Sequence, residues 1–117
     1  EKEIAHDVLV SRLEQYLRRS GNYYIIQTHV PFYDGSVTKG EIDVLAINHD
    51  LFDMYEVKGS PERSSLQKAV HQLRTARLHF SQRGDDYIYT PHYEIETLEV
   101  VVQRLNRRMS NKKKERR

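Results

Sequence analysis

Apolar residues at Ile4, Ala5, Val8, Leu9, Leu13, Tyr16 and Leu17 recur at helical spacing, and Gly21 follows them as a natural stop. A helix is therefore predicted over residues 3–20. Tyr23–Val30 (YYIIQTHV) is dense in aromatic and β-branched residues and reads as a strand. Pro31 to Gly40, with its Asp-Gly pair and Ser, reads as a turn or loop. Ile42–Ile47 is a short apolar run containing one acid, and Leu51–Lys58 (LFDMYEVK) is a further strand. A second helix is predicted from about Ser64 to Gln82, its buried stripe made of Leu66, Ala69, Val70, Leu73, Ala76 and Phe80. Gly84-Asp85-Asp86 breaks it, and Tyr87–Thr90 forms a fourth strand. Val100-Val101-Val102 favours a strand, but Ile95, Leu98, Val102, Leu105 and Met109 keep helical spacing, so the last element is assigned as a helix.

The predicted order is α-β-β-β-α-β-α. Three consecutive strands are easily joined by hairpins, and the helix before the fourth permits a parallel crossover. The fold class is α/β, a mixed four-stranded sheet flanked by helices. With 117 residues the chain has room for one core. Residues 1–109 are expected to form it, leaving 110–117 as a basic tail.

Hydrophobic residues at 38% and charged residues at 31% exclude a disordered chain, and no stretch reaches the length of a membrane span. Cysteine is absent, which removes disulfides and thiolate metal sites and fits a cytoplasmic location. The net charge of +2 conceals a polarity: residues from Arg104 onward carry an excess of seven positive charges, and the remainder is acidic by five. A basic arm on an acidic body can hold a polyanion while keeping an acidic centre for a metal.

Two strands carry charge where apolar residues are expected. Asp43 lies within IDVLAI, and Glu56 and Lys58 lie two apart at the end of LFDMYEVK. Alternation puts Glu56 and Lys58 on one sheet face with Val57 on the other. A hairpin across Asn48–Asp50 would set Asp43 opposite Glu56. Two close carboxylates repel, and burying them is costly unless a cation neutralises them. Hard oxygen donors suit Mg²⁺ or Mn²⁺, which activate water and stabilise charge on an attacked phosphate. Lys58 is then placed to position or deprotonate that water, or to offset developing charge.

With Gly40-Glu41-Ile42-Asp43-Val44 and Tyr55-Glu56-Val57-Lys58-Gly59-Ser60 in this element order, the chain resembles the PD-(D/E)xK nuclease superfamily. The resemblance implies a restriction-endonuclease-like αβββαβα core and metal-dependent hydrolysis of DNA in repair, recombination or a mobile element. It implies that Asp43 and Glu56 ligate the metal with help from the Val57 carbonyl, and that Lys58 is the catalytic lysine. It also implies a helix Gln that positions the lysine or water, for which Gln72 is preferred over Gln67. A first-helix His or acid often reaches the metal. Of Glu3, His6, Asp7 and Glu14, His6 lies nearest the apolar stripe and is preferred. Lys39, Arg63, Lys68, Arg104, Arg107, Arg108, Lys112, Lys113 and Lys114 are candidates for phosphate contacts. His6 and Gln72 lean towards RecB-like nucleases acting on single strands. The small size leans towards archaeal Holliday-junction resolvases, which act on branched DNA as homodimers. A nucleic-acid-binding module that uses the same charges structurally is the competing reading.

Overall fold

In the computed structural model, which describes residues 4–115 and side chains as far as Ser110, the chain folds as α1 (His6–Ser20), β1 (Ile25–Asp34), β2 (Val37–Asn48), β3 (Leu51–Val57), α2 (Arg63–Phe80), β4 (Asp86–Thr90), β5 (Glu94–Thr97) and α3 (Leu98–Glu115). The five strands form one mixed sheet in sequence order, antiparallel at every junction except the parallel β3–β4 pair made possible by the α2 crossover. One face carries a cluster of Leu9, Val10, Leu13 and Leu17 of α1 with Ile26, Val44, Ala46, Tyr55 and Val57. The other carries α2 and α3, packed through Leu66, Leu73, Val101 and Leu105 onto Phe32, Leu45, Met54 and Ile88. The class is α/β, with helices on both faces of the sheet.

Helix α1 buries a stripe rotated slightly from the expected one. Val10 is buried, while Val8 and Tyr16 are exposed. The inward line thus runs through Leu9, Val10, Leu13 and Leu17, and one turn before it stands His6. Gly21 ends the helix in the left-handed region (φ 69°).

The structure corrects the expected loop at residues 31–40. Strand β1 continues through Pro31 to Asp34, and β2 begins at Val37, so only Gly35 and Ser36 turn. Pro31 is tolerated because β1 is an edge strand, where a missing N–H need not break a ladder. Gly40 lies opposite Phe32, and a Cβ there would come within 2.6 Å of the Phe32 ring.

The expected four strands are also corrected to five. Glu94–Thr97 pairs antiparallel with β4 before α3 begins at Leu98. The helical spacing from Leu98 to Leu105 is real, but Ile95 does not belong to it. Ile95 packs on the α1 side of the sheet, whereas Leu98, Val101, Val102 and Leu105 pack on the α2 side. Helix α3 runs on through Glu115, past the expected start of the tail at residue 110.

Where α2 returns to β4, Gly84 passes against β3 so closely that a Cβ would fall 1.9 Å from the Phe52 carbonyl oxygen. Arg77 braces this connection, donating to Asp86 at 2.7 Å and to the Gln82 carbonyl at 2.8 Å. On the α1 face, Tyr23 donates to Asp53 at 2.6 Å and shares a hydrogen bond with Tyr55, which stacks on Tyr87. These tyrosines are part of the core.

Candidate active site

The β2–β3 ladder pairs Val44 with Tyr55, Leu45 with Met54 and Ala46 with Asp53. Continued by one residue, that register sets Asp43 against Glu56, as expected from a hairpin between these strands. Both side chains are buried, Asp43 at 6% exposure and Glu56 at 4%. Val57 packs towards α1, so Glu56 and Lys58 face α2. Lys58 Nζ lies 3.5 Å from Glu56 Oε2, and the Lys58 backbone N–H donates to the Tyr89 carbonyl of β4 at 2.9 Å. The parallel crossover therefore holds the end of β3 firmly.

Asp43 sits where the strand alternation breaks. Its neighbour Ile42 packs on the α2 side, yet Val44 packs on the α1 side. On the adjoining strand, Thr28 pairs with Val44 and Val30 with Ile42, while His29 between them is left out of the ladder with φ 53°. This irregularity makes the Asp43 carboxylate reachable from both layers. Its Oδ2 accepts the Val57 backbone N–H at 2.8 Å and lies 3.3 Å from His6 Nε2.

Burial raises the Glu56 carboxyl to about 8 from its ordinary 4.5, and the neighbouring Asp43 charge pushes in the same direction; Lys58 opposes both. Near neutral pH a proton therefore occupies a place that a cation could take. The carboxylate oxygens of Asp43 and Glu56 are hard donors that fit Mg²⁺ or Mn²⁺, and the His6 imidazole stands beside them, 3.3 Å from Asp43 Oδ2.

An open groove of about 460 Å³ runs from Lys58 along α2, lined by Ser64, Gln67, Lys68, His71 and Gln72. Gln72 and His71 also line a smaller adjoining pocket with Phe32, Lys39, Gly40 and Glu41. The structure thus brings His6, Asp43, Glu56, Val57, Lys58 and Gln72 into one neighbourhood, with Lys39 and Lys68 at its borders.

The other basic candidates are placed differently. Arg63 is the first residue of α2, and its Nε is buried without a hydrogen-bond partner among the described residues. Arg104 pairs with Glu96 and lies 4.2 Å from the Tyr93 ring centre, so it ties α3 to β5. Arg107 and Arg108 are exposed on α3. The side chains of Lys112, Lys113 and Lys114 lie outside the described residues, as does Glu3.

Sequence reasoning did not single out His29, Glu41 or His71 as site residues. Glu41 is two residues before Asp43, which alone could have placed it near. His29 needed the β1–β2 register, which the assumed loop concealed. Its imidazole is 2.9 Å from Glu41 Oε1, and that hydrogen bond raises its pKa.

Comparison with protein-family models and with curated proteins finds no match to this chain. Among the described residues, no helix is long and apolar enough to cross a membrane.

Proposed function

We propose that this protein is a divalent-metal-dependent nuclease hydrolysing DNA phosphodiester bonds, with a restriction-endonuclease-like core extended by β5. The observation that carries this reading is the burial of Asp43 and Glu56 side by side, with Lys58 Nζ 3.5 Å from Glu56. Adjacent buried carboxylates with a single lysine are costly for a purely structural network, whereas a divalent cation would offset both charges. The order αβββαβ up to β4, with the acid on β2 and Glu-x-Lys ending β3, supports the same reading.

Mg²⁺ or Mn²⁺, when bound, supplies Lewis acidity towards a phosphoryl oxygen and lowers the pKa of water. Asp43 and Glu56 would hold the ion, with His6 and the Val57 carbonyl as neighbouring donors. The Val57 N–H bond fixes the Asp43 carboxylate, so its orientation does not have to be found during the reaction. Lys58 faces the groove and can donate to a phosphate oxygen or to the attacking water, offsetting charge as it develops. Gln72, which lines the same groove as Lys58, would orient either group. Lys68 and Lys39 can contact flanking phosphates.

The test is a cleavage assay on single-stranded, duplex and four-way-junction DNA with Mg²⁺, with Mn²⁺ and in excess EDTA. Metal-dependent products are expected, abolished by EDTA. Metal-independent binding without cleavage of any substrate would favour the nucleic-acid-binding module instead.

A further inference from the structure

His29, Glu41 and Asp43 each place a potential ligand atom so that all three lie within 4.8 Å of one another. The centre of an equilateral triangle of that side is about 2.8 Å from each corner, so modest side-chain rotation reaches the ~2.0–2.2 Å of first-row metal bonds to nitrogen and oxygen. The donors come from adjacent strands. His29 stands on β1, while Glu41 and Asp43 stand on β2, two residues apart. Since β2 lies between β1 and β3, this cluster is on the side of Asp43 away from Glu56.

Three further features bear on the cluster. His29 is excluded from the β1–β2 ladder and held at φ 53°, which turns a residue that would otherwise oppose Asp43 out of the regular pattern. Its Nδ1 faces Glu41 at 2.9 Å, while Nε2 faces Asp7 of α1 at 4.0 Å. A ligating imidazole commonly has its second nitrogen oriented by a carboxylate, and Asp7 is placed for that role. The His6 contact and the Val57 N–H bond both fall on Asp43 Oδ2, so neither occupies the other carboxylate oxygen.

We propose a second cation site formed by His29, Glu41 and Asp43, taking a first-row transition ion such as Mn²⁺ or Zn²⁺ and not Mg²⁺. The imidazole decides the selectivity. Imidazole nitrogen favours the later first-row ions such as Zn²⁺ and is accepted by Mn²⁺ more readily than by Mg²⁺, which favours an all-oxygen shell and retains its waters. Asp43 would be common to this site and the proposed catalytic one, and Glu56 and Lys58 belong only to the latter.

Calorimetric titration of the metal-free full chain with Mn²⁺ and with Mg²⁺ tests this, using wild type, His29→Ala, His29→Gln and Glu56→Gln. Wild type should bind one more Mn²⁺ than Mg²⁺. His29→Ala and His29→Gln should each lose that additional Mn²⁺ while keeping Mg²⁺ binding, and Glu56→Gln should keep the His29-dependent ion. On wild type alone, diamagnetic Zn²⁺ should strongly shift the His29 imidazole NMR resonances through direct coordination, while Mg²⁺ leaves them near their metal-free positions and neither ion moves those of His92. This second readout needs no variant to fold. Equal Mn²⁺ stoichiometry in wild type and both His29 variants overturns the proposal. So does a single Mn²⁺ lost alike from the His29 and Glu56 variants, or an unaffected His29 ring. Loss of an ion in Glu56→Gln alone leaves the nuclease reading standing without this site. Loss in the His29 variants alone leaves this site standing without that reading.

Discussion

The Val57 backbone N–H donates to Asp43 Oδ2 at 2.8 Å, tying the middle peptide of Glu56-Val57-Lys58 to the acid of the neighbouring strand. The contact fixes the relative positions of the two halves of the site before any ligand arrives. It also means that Asp43 has two functions: it carries charge, and it satisfies a buried donor. Substitutions at Asp43 should therefore be read against that donor as well as against metal binding.

Glu56 makes the metal-free protein sensitive to pH. Its carboxyl is raised from 4.5 to about 8, so between those values the folded state keeps a proton that the unfolded state has released. The stabilisation is fully present below about 4.5 and is lost as pH rises through about 8. Denaturant melts in EDTA should show stability falling across this window by on the order of a few kcal/mol, because a tenfold difference in proton affinity corresponds to about 1.4 kcal/mol. Saturating Mn²⁺ should flatten the slope by replacing the proton. A metal-free protein whose stability rises from pH 5 to pH 8 would contradict this assignment.

Lys58 and Asp43 should separate chemistry from metal binding. Lys58→Met removes the ammonium and keeps the length, so cleavage is expected to fall about 100-fold or more while metal still binds. The same change removes the group that opposes the raised Glu56 pKa, so the pH window of metal-free stability should extend upward. Asp43→Asn keeps an oxygen for the Val57 N–H but loses a charged ligand. It should bind metal weakly and show a shallower pH slope, since it removes the Coulombic push on Glu56 and leaves the larger effect of burial. Wild-type cleavage by Lys58→Met would move any phosphodiester chemistry elsewhere in the molecule.

Gln72 and Gln67 both line the groove beside Lys58, but Gln72 alone of the two also lines the adjoining pocket with Glu41 and Gly40. Gln72→Ala is therefore expected to reduce kcat by about 10-fold, within the range for removing a group that positions a reactant. Gln67→Ala should act mainly on KM. Parallel kinetics on one DNA substrate would compare them, and the reverse order would assign the positioning role to Gln67.

Much of this arrangement was legible because strong patterns coincide. The helical stripe from Leu66 to Ala76, the apolar β3 strand and the Glu-x-Lys at its end all report burial directly. The pairing of Asp43 with Glu56 followed from the hairpin alone. What was not legible depended on context that pattern does not carry. Pro31 and Gly40 are turn residues by composition, yet an edge position admits the first and the Phe32 ring covers the second. Ile95 matched a helical period by coincidence, because it packs on the opposite face from Leu98. His29 could not be placed near Asp43 until the short turn at Gly35-Ser36, in place of the expected ten-residue loop, fixed the β1–β2 register.

The C-terminal basic segment allows a test of the polyanion reading that does not depend on catalysis. Helix α3 is anchored by Val101 and Leu105, both well before residue 110, and its backbone continues as a helix through Glu115. Truncation after Ser110 removes lysines and arginines but none of the buried anchors, so the melting temperature should be nearly unchanged. If these charges meet phosphates, DNA binding should weaken, and the slope of log K against log salt should become shallower by about 0.7–0.9 for each phosphate no longer neutralised. Fluorescence anisotropy on labelled DNA between low and moderate salt, in Ca²⁺ to suppress cleavage, measures both quantities. An unchanged slope and affinity would mean that the segment is a solvated helix end and that the groove along α2 supplies the phosphate contacts, which Lys68→Ala would then reveal as a weakening of its own.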